Sequence, residues 1–248
     1  MLRLVLAVCA MLWATLAYAA DGSQSRAIGF SPDARYFAFE EYGIQDGSGS
    51  AYSTVFILDT EKDEWLKGTP IRVQGEEGEG DLLAVRAKVW EKAQPLIDSL
   101  KLQGAFDTLV HMPFTEIIAD RKTVRFARYY ASSGRAEDYD ALGSYRLSVK
   151  DIPLPPAQPD CPDADIVTFH GMELSLSNLQ TNVSKTLTKD VNIPKSRWCP
   201  NGYDIEAIYA PTTQGLERDP LVAIVGVYSR GFEGSNRDFI AVPFELFQ

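Results

Sequence analysis

Arg35-Tyr36-Phe37-Ala38-Phe39-Glu40-Glu41-Tyr42, a loop through Gly47-Ser48-Gly49-Ser50, then Thr54-Val55-Phe56-Ile57-Leu58-Asp59 is the stretch that decides the fold class. Its arms alternate in the period of strands half-buried in an antiparallel sheet, and the glycine-serine loop joins them into a hairpin. The layout returns twice. Thr123 to Tyr130 leads through Ser132-Ser133-Gly134 to Tyr145-Arg146-Leu147-Ser148-Val149. Leu221 to Tyr228 leads through Gly231 to Ser235 and on to Asp238-Phe239-Ile240-Ala241-Val242. The unbroken apolar run of this third hairpin predicts a strand buried on both faces. The chain therefore reads as mainly β, antiparallel and β-rich: a sandwich or a small, partial propeller-like fold.

One substantial helix is expected around residues 81–102. Asp81 caps it, and Leu82, Val85, Val89, Ala93, Leu96 and Leu100 recur at helical spacing. Pro95 should kink or divide it. Pro153, Pro155, Pro156, Pro159 and Pro162 make residues 151–165 the best internal boundary. That segment is expected to be neither regular strand nor helix, because proline has no backbone donor. Tyr209-Ala210-Pro211 reads as a turn like Phe30-Ser31-Pro32.

The first residues speak to compartment. Arg3, the apolar run Leu4 to Leu16 and the small residues of Ala17-Tyr18-Ala19 read as a signal peptide over residues 1–19. Residues 20–248 are then one exported β-rich domain, periplasmic or secreted, with two lobes meeting at 151–165. Cys9 leaves with the signal peptide. Cys161 and Cys199 remain, and in an oxidising compartment they should form one disulfide. No later segment is apolar and long enough to span a membrane. The 248 residues carry 24 basic and 34 acidic side chains, a formal net charge of −10. Nucleic acid and anionic lipid surfaces both call for clustered Lys and Arg, so neither is expected as a partner.

Little catalytic chemistry is visible. His111 and His170 stand apart, without H-x-x-H or H-E-x-x-H spacing, and Asp46-Gly47-Ser48-Gly49-Ser50 lacks the acidic ligands of a calcium loop. No metal or cofactor is assigned. There is no G-x-S-x-G elbow and no glycine-rich phosphate loop. Glu40 and Glu41 are neighbours on a strand and point to opposite faces, so one could face inward. That keeps open a carboxylate-dependent hydrolase of cell-envelope polymers. The preferred reading is a non-enzymatic binding or envelope-associated protein that meets a small molecule or protein through its hairpin loops. The candidate site is Ser229 to Asp238, with Arg230, Phe232, Glu233, Asn236 and Arg237 as contact residues. It offers an exposed aromatic and two arginines in an acidic protein, and arginine grips a carboxylate or phosphate at two points.

Phe30-Ser31-Pro32-Asp33-Ala34-Arg35-Tyr36-Phe37-Ala38-Phe39 resembles the signature of TolB-like, WD40-like propeller blades, with Ala34 in place of the usual turn glycine. More of the chain resembles a bacterial family of predicted secreted proteins of unknown function. That opening motif carries the resemblance, together with Asp59-Thr60-Glu61-Lys62-Asp63-Glu64-Trp65, Ile193 to Pro200, and Ser229 to Gly234. The family resemblance implies export in a Gram-negative bacterium and brings no catalytic residues. The blade resemblance implies a scaffold used for binding.

Overall fold

The computed structural model describes residues 22–102, 104–113, 120–131, 139–162, 166–212, 219–231 and 234–247. The expected signal peptide over residues 1–19 lies outside them. Among the described residues, three antiparallel sheets and one α-helix account for the fold. The first sheet holds β1 (Gln24–Phe30), β2 (Tyr36–Ile44), β3 (Ala51–Asp59), β4 (Glu64–Trp65) and β5 (Ile71–Gln74). Helix α1 (Leu82–Ser99) follows it. The middle sheet runs in the order β13 (Ser235–Phe244), β12 (Leu221–Arg230), β11 (Pro200–Pro211), β6 (Phe106–His111). The third sheet runs in the order β10 (Val183–Lys189), β9 (His170–Asn178), β8 (Tyr139–Pro153), β7 (Thr123–Ala131).

Side-chain alternation stacks these layers. Along β12, Leu221, Ala223, Val225 and Val227 join Leu147, Leu174 and Leu176 of the third sheet in one core. Val222 and Ile224 turn the other way and join Phe37, Phe39 and Leu58 of the first sheet. The middle sheet is therefore covered on both faces, and the apolar run of the third hairpin is its buried strand. On the far side of the first sheet, Ala38, Val55 and Ile57 pack against Val89, Ala93 and Ile97 of α1. Complete burial of one such Phe, Leu or Ile contributes roughly 1.5–3 kcal/mol.

The three sequence hairpins are β2–β3, β7–β8 and β12–β13. Tyr36 pairs with Asp59 and Ile44 with Ala51 in the first, and Leu221 pairs with Phe244 in the third. The loop residues of the second, Ser132-Ser133-Gly134, lie outside the described residues. The Asp81 carboxylate accepts the Ala84 N–H at 3.0 Å and caps α1. Pro95 does not divide the helix, which runs unbroken to Ser99. Pro95 sits on the exposed face, where the carbonyl it leaves without a donor is within reach of water.

Two sequence expectations need correction. Residues 151–153 are regular strand, since β8 continues to Pro153, which pairs with His170 at the very end of the ladder. A proline there interrupts no internal rung. Tyr209-Ala210-Pro211 is likewise not a turn but the end of β11, paired with β6 through Pro211 and Phe106. The propeller-blade motif is not confirmed. Its residues end β1, turn, and open β2, and the sheets close no barrel. The turn itself is well built: Tyr36 N–H donates to Ser31 Oγ at 2.9 Å, and Ala34 takes φ 56°, the conformation that usually selects glycine.

Candidate functional site

The β12–β13 hairpin separates its candidate residues. Arg230 ends β12, exposed, opposite Ser235. Gly231 N–H donates to Gly234 O at 2.8 Å. A Cβ on Gly231 would meet Asn236 Oδ1 at 2.4 Å, so a larger residue there would have to displace the Asn236 side chain. Asn236 is half-buried. Phe232 and Glu233 lie outside the described residues. Arg237 is buried, donates from Nη2 to Ser23 O at 2.6 Å, and stands 3.6 Å from Glu206 Oε2. The two arginines therefore do not form one clamp. Arg230 faces solvent, whereas Arg237 holds the hairpin against the start of β1.

Around Arg237 lies a buried charge network between the first and middle sheets. Arg121 donates from Nε to Asp204 Oδ2 and from Nη2 to Glu206 Oε2, both at 2.7 Å. Tyr228 OH donates to Asp204 Oδ2 at 2.7 Å. Gly226 makes room for that carboxylate, since a Cβ there would stand 2.3 Å from Asp204 Oδ1. Burial raises the Glu206 pKa against the pull of Arg237 and Arg121. Burial and the bond to Asp204 raise that of Tyr228.

Glu40 and Glu41 do point to opposite faces, and both are buried. Glu40 faces α1, where Arg86 grips it through two contacts of 2.8 Å and Ser53 adds a third hydrogen bond. Burial opposes its ionisation, but these donors outweigh it and its pKa is lowered. Glu41 faces the middle sheet and accepts the Phe239 N–H at 3.0 Å. Burial, reinforced by the charge of Asp238, pushes its carboxyl up to about 8. His111 and His170 do not meet any metal-binding set: among the described residues no three His, Cys, Asp or Glu side chains cluster so as to hold an ion.

A groove of about 360 Å³ opens where the three sheets meet. Leu58 and Trp65 of the first sheet, Met172 and Thr188 of the third, and Ile240, Ala241 and Val242 of edge strand β13 line it. Asp63, Glu64, Pro194, Ser196 and Arg197 complete its rim. The turn before Trp65 is tied by Asp59, whose Oδ1 accepts the N–H groups of Glu61 and Lys62 at 3.1 and 3.3 Å. Trp65 rests on Phe56, with ring centroids 5.1 Å apart. Asp63 stands exposed at φ 54°. The surrounding walls still desolvate its carboxyl and push its pKa up, against the pull of Arg197. Across the groove, Arg197 Nη1 donates to Asp190 Oδ2 at 2.5 Å. The disulfide Cys161–Cys199, with Cα atoms 5.7 Å apart, packs with Phe169 and Ile193 beneath this segment. Trp198 next to Arg197 is 43 % exposed and sits at φ 54°, ψ −109°, a strained conformation for a bulky residue.

Sequence reasoning did not select this groove. The signal was present in the segments Asp59 to Trp65 and Ile193 to Pro200, which supply six of its lining residues. Residues 38–245 match the family model described as "predicted secreted protein (DUF2259)". The chain belongs to this family. No curated protein and no solved structure matches the chain. As a member of the DUF2259 family it is an exported protein, and none of its described helices is long and apolar enough to cross a membrane.

Proposed function

We propose that this DUF2259 member is a non-enzymatic binding protein that takes its ligand in the groove at the junction of the three sheets. The groove itself carries the reading. Its volume is that of a ligand site, and it sets the apolar side chains of Leu58, Trp65, Met172 and Ile240 against an equally large polar surface from Asp63, Glu64, Thr188, Ser196 and Arg197. The proposal includes a signal peptide over residues 1–19 and one exported β-rich unit beyond it. It also keeps the hairpin tip, with Arg230, Phe232, Glu233 and Asn236, as a second contact surface. Arg237 serves there as the anchor that holds the hairpin in place.

A carboxylate-dependent hydrolase of cell-envelope polymers is the second reading. Glu41 favours it, because a carboxyl held up to about 8 stays protonated at neutral pH, as a general acid must. Its burial and its bond to the β13 backbone weigh against it. So does the pairing of the other buried carboxylates: Glu40 with Arg86, Asp204 and Glu206 with Arg121, Asp59 with Arg35.

A photo-crosslinking side chain placed at Glu64 in the exporting cell tests the proposal, with the same group at exposed Glu91 of α1 as control. A discrete adduct from position 64 alone is expected. No adduct there, or the same products from both positions, would remove the groove. Polymer turnover abolished by Glu41→Gln would establish the hydrolase instead.

A further inference from the structure

We infer that the groove receives a short extended peptide of a partner protein, bearing a basic side chain and adding as a strand to the edge of β13. This rests on the groove-binding reading above. The middle sheet lies between two others, so its edge strand forms the floor of a trench with the outer sheets as walls. Successive residues of an antiparallel edge strand turn their N–H and C=O alternately toward the neighbour and away from it. Phe239 N–H goes to Glu41, so positions 237, 239, 241 and 243 face outward. Gly22 already bridges to Arg237, Glu41 takes the Phe239 N–H, and Pro243 has no donor. These are devices that protect an edge from unwanted pairing. Ala241 is the remaining outward position; its methyl is buried in the core shared with the first sheet, and the residue lines the groove. Strand addition supplies affinity from the backbone and selectivity from the side chains that flank it.

The flanking chemistry selects charge. Arg197 is answered by Asp190 at 2.5 Å, which leaves Asp63 and Glu64 to set the sign of the rim. The indole of Trp65 lies beside them, and an aromatic face with carboxylates suits a lysine or arginine side chain. The net charge of −10 draws such a partner in.

The test is titration of the exported protein, followed by amide and indole NMR shifts. The probe is a blocked heptapeptide of alternating valine and threonine with a central lysine. Its comparators are the same peptide with glutamate at the centre and versions N-methylated along one edge or the other. The lysine peptide should shift the Ala241 amide and the Trp65 indole. The glutamate peptide should bind at least ~10-fold more weakly, and N-methylation of one edge only should abolish binding. Asp63→Asn with Glu64→Gln should weaken the lysine peptide by ~10-fold, asparagine being chosen because it tolerates the positive φ. Equal binding of the lysine and glutamate peptides would overturn the charge assignment. Indifference to N-methylation of either edge would overturn strand addition. Should no peptide bind while position 64 still crosslinks a ligand, the ligand class falls and the groove stands. Concentration-dependent dimerisation that shifts the same signals would assign the trench to a second copy of this chain and overturn the inference.

Discussion

Replacing Glu41 by glutamine should stabilise the protein, and by more as the pH rises. The folded carboxyl titrates at about 8 against an ordinary value of 4.5. Burial is the main cause, and Asp238 of β13 adds repulsion, while the Phe239 N–H, Arg72 of β5 and Arg237 of β13 pull the other way. Below pH 4.5 both folded and unfolded states hold the proton, and Glu41 costs nothing. Above it the unfolded chain releases a proton that the fold retains, so stability falls by about 1.4 kcal/mol per pH unit until the folded group titrates. At pH 7 the accumulated cost is of order 3 kcal/mol. Glutamine keeps an oxygen for the Phe239 N–H and has no proton to lose. Urea unfolding of both proteins at pH 4.5, 6 and 7.5 measures the difference. Near-equal stabilities at the lowest pH and a gap in favour of glutamine that widens upward are expected. A constant gap, or a variant that weakens as pH rises, would refute the placement of a desolvated carboxyl between these sheets.

Reduction of Cys161–Cys199, or Cys161→Ser with Cys199→Ser, closes no other loop and should cost about 4 kcal/mol in the chain-entropy model, read from urea midpoints with and without reductant. Gly226→Ala drives a methyl into Asp204 Oδ1 and should cost about 1–3 kcal/mol, with the thermal midpoint falling by several degrees. Arg230→Ala should leave the urea midpoint within about 0.5 kcal/mol of wild type, whereas Arg237→Ala removes the buried bond to Ser23 O and one of the two arginines beside Glu206, and should cost about 1–3 kcal/mol. Equal effects of the two arginine variants would contradict the separation described for the hairpin.

The hairpins were legible because their information is local. Phe37 and Phe39 alternate with Ala38 and Glu40, and that period survives intact as two faces buried against different layers. Strand β11 was less legible. Asp204 and Glu206 give it the look of a loop, and their charges are answered by Arg121, more than eighty residues away. Pro153 misled for a related reason, since its effect depends on whether it falls inside a ladder or at its end. The burial of Arg237 was readable from its alternation with Phe239 and Ala241, but the eye goes first to the glycines around it. The groove was hidden because it belongs to no one element. Trp65, Met172, Arg197 and Ala241 come together only once the middle sheet has been enclosed by the other two.

Native mass spectrometry of the exported protein, wild type beside Ser196→Trp, tests the central claim most directly. Ser196 is exposed on the groove rim, away from the core clusters, and an indole introduced there is expected to obstruct the trench. A discrete extra mass on the wild type, absent from the variant, is the expected result. A wild type that carries no added mass, or an adduct that the variant retains, would contradict ligand binding in the groove.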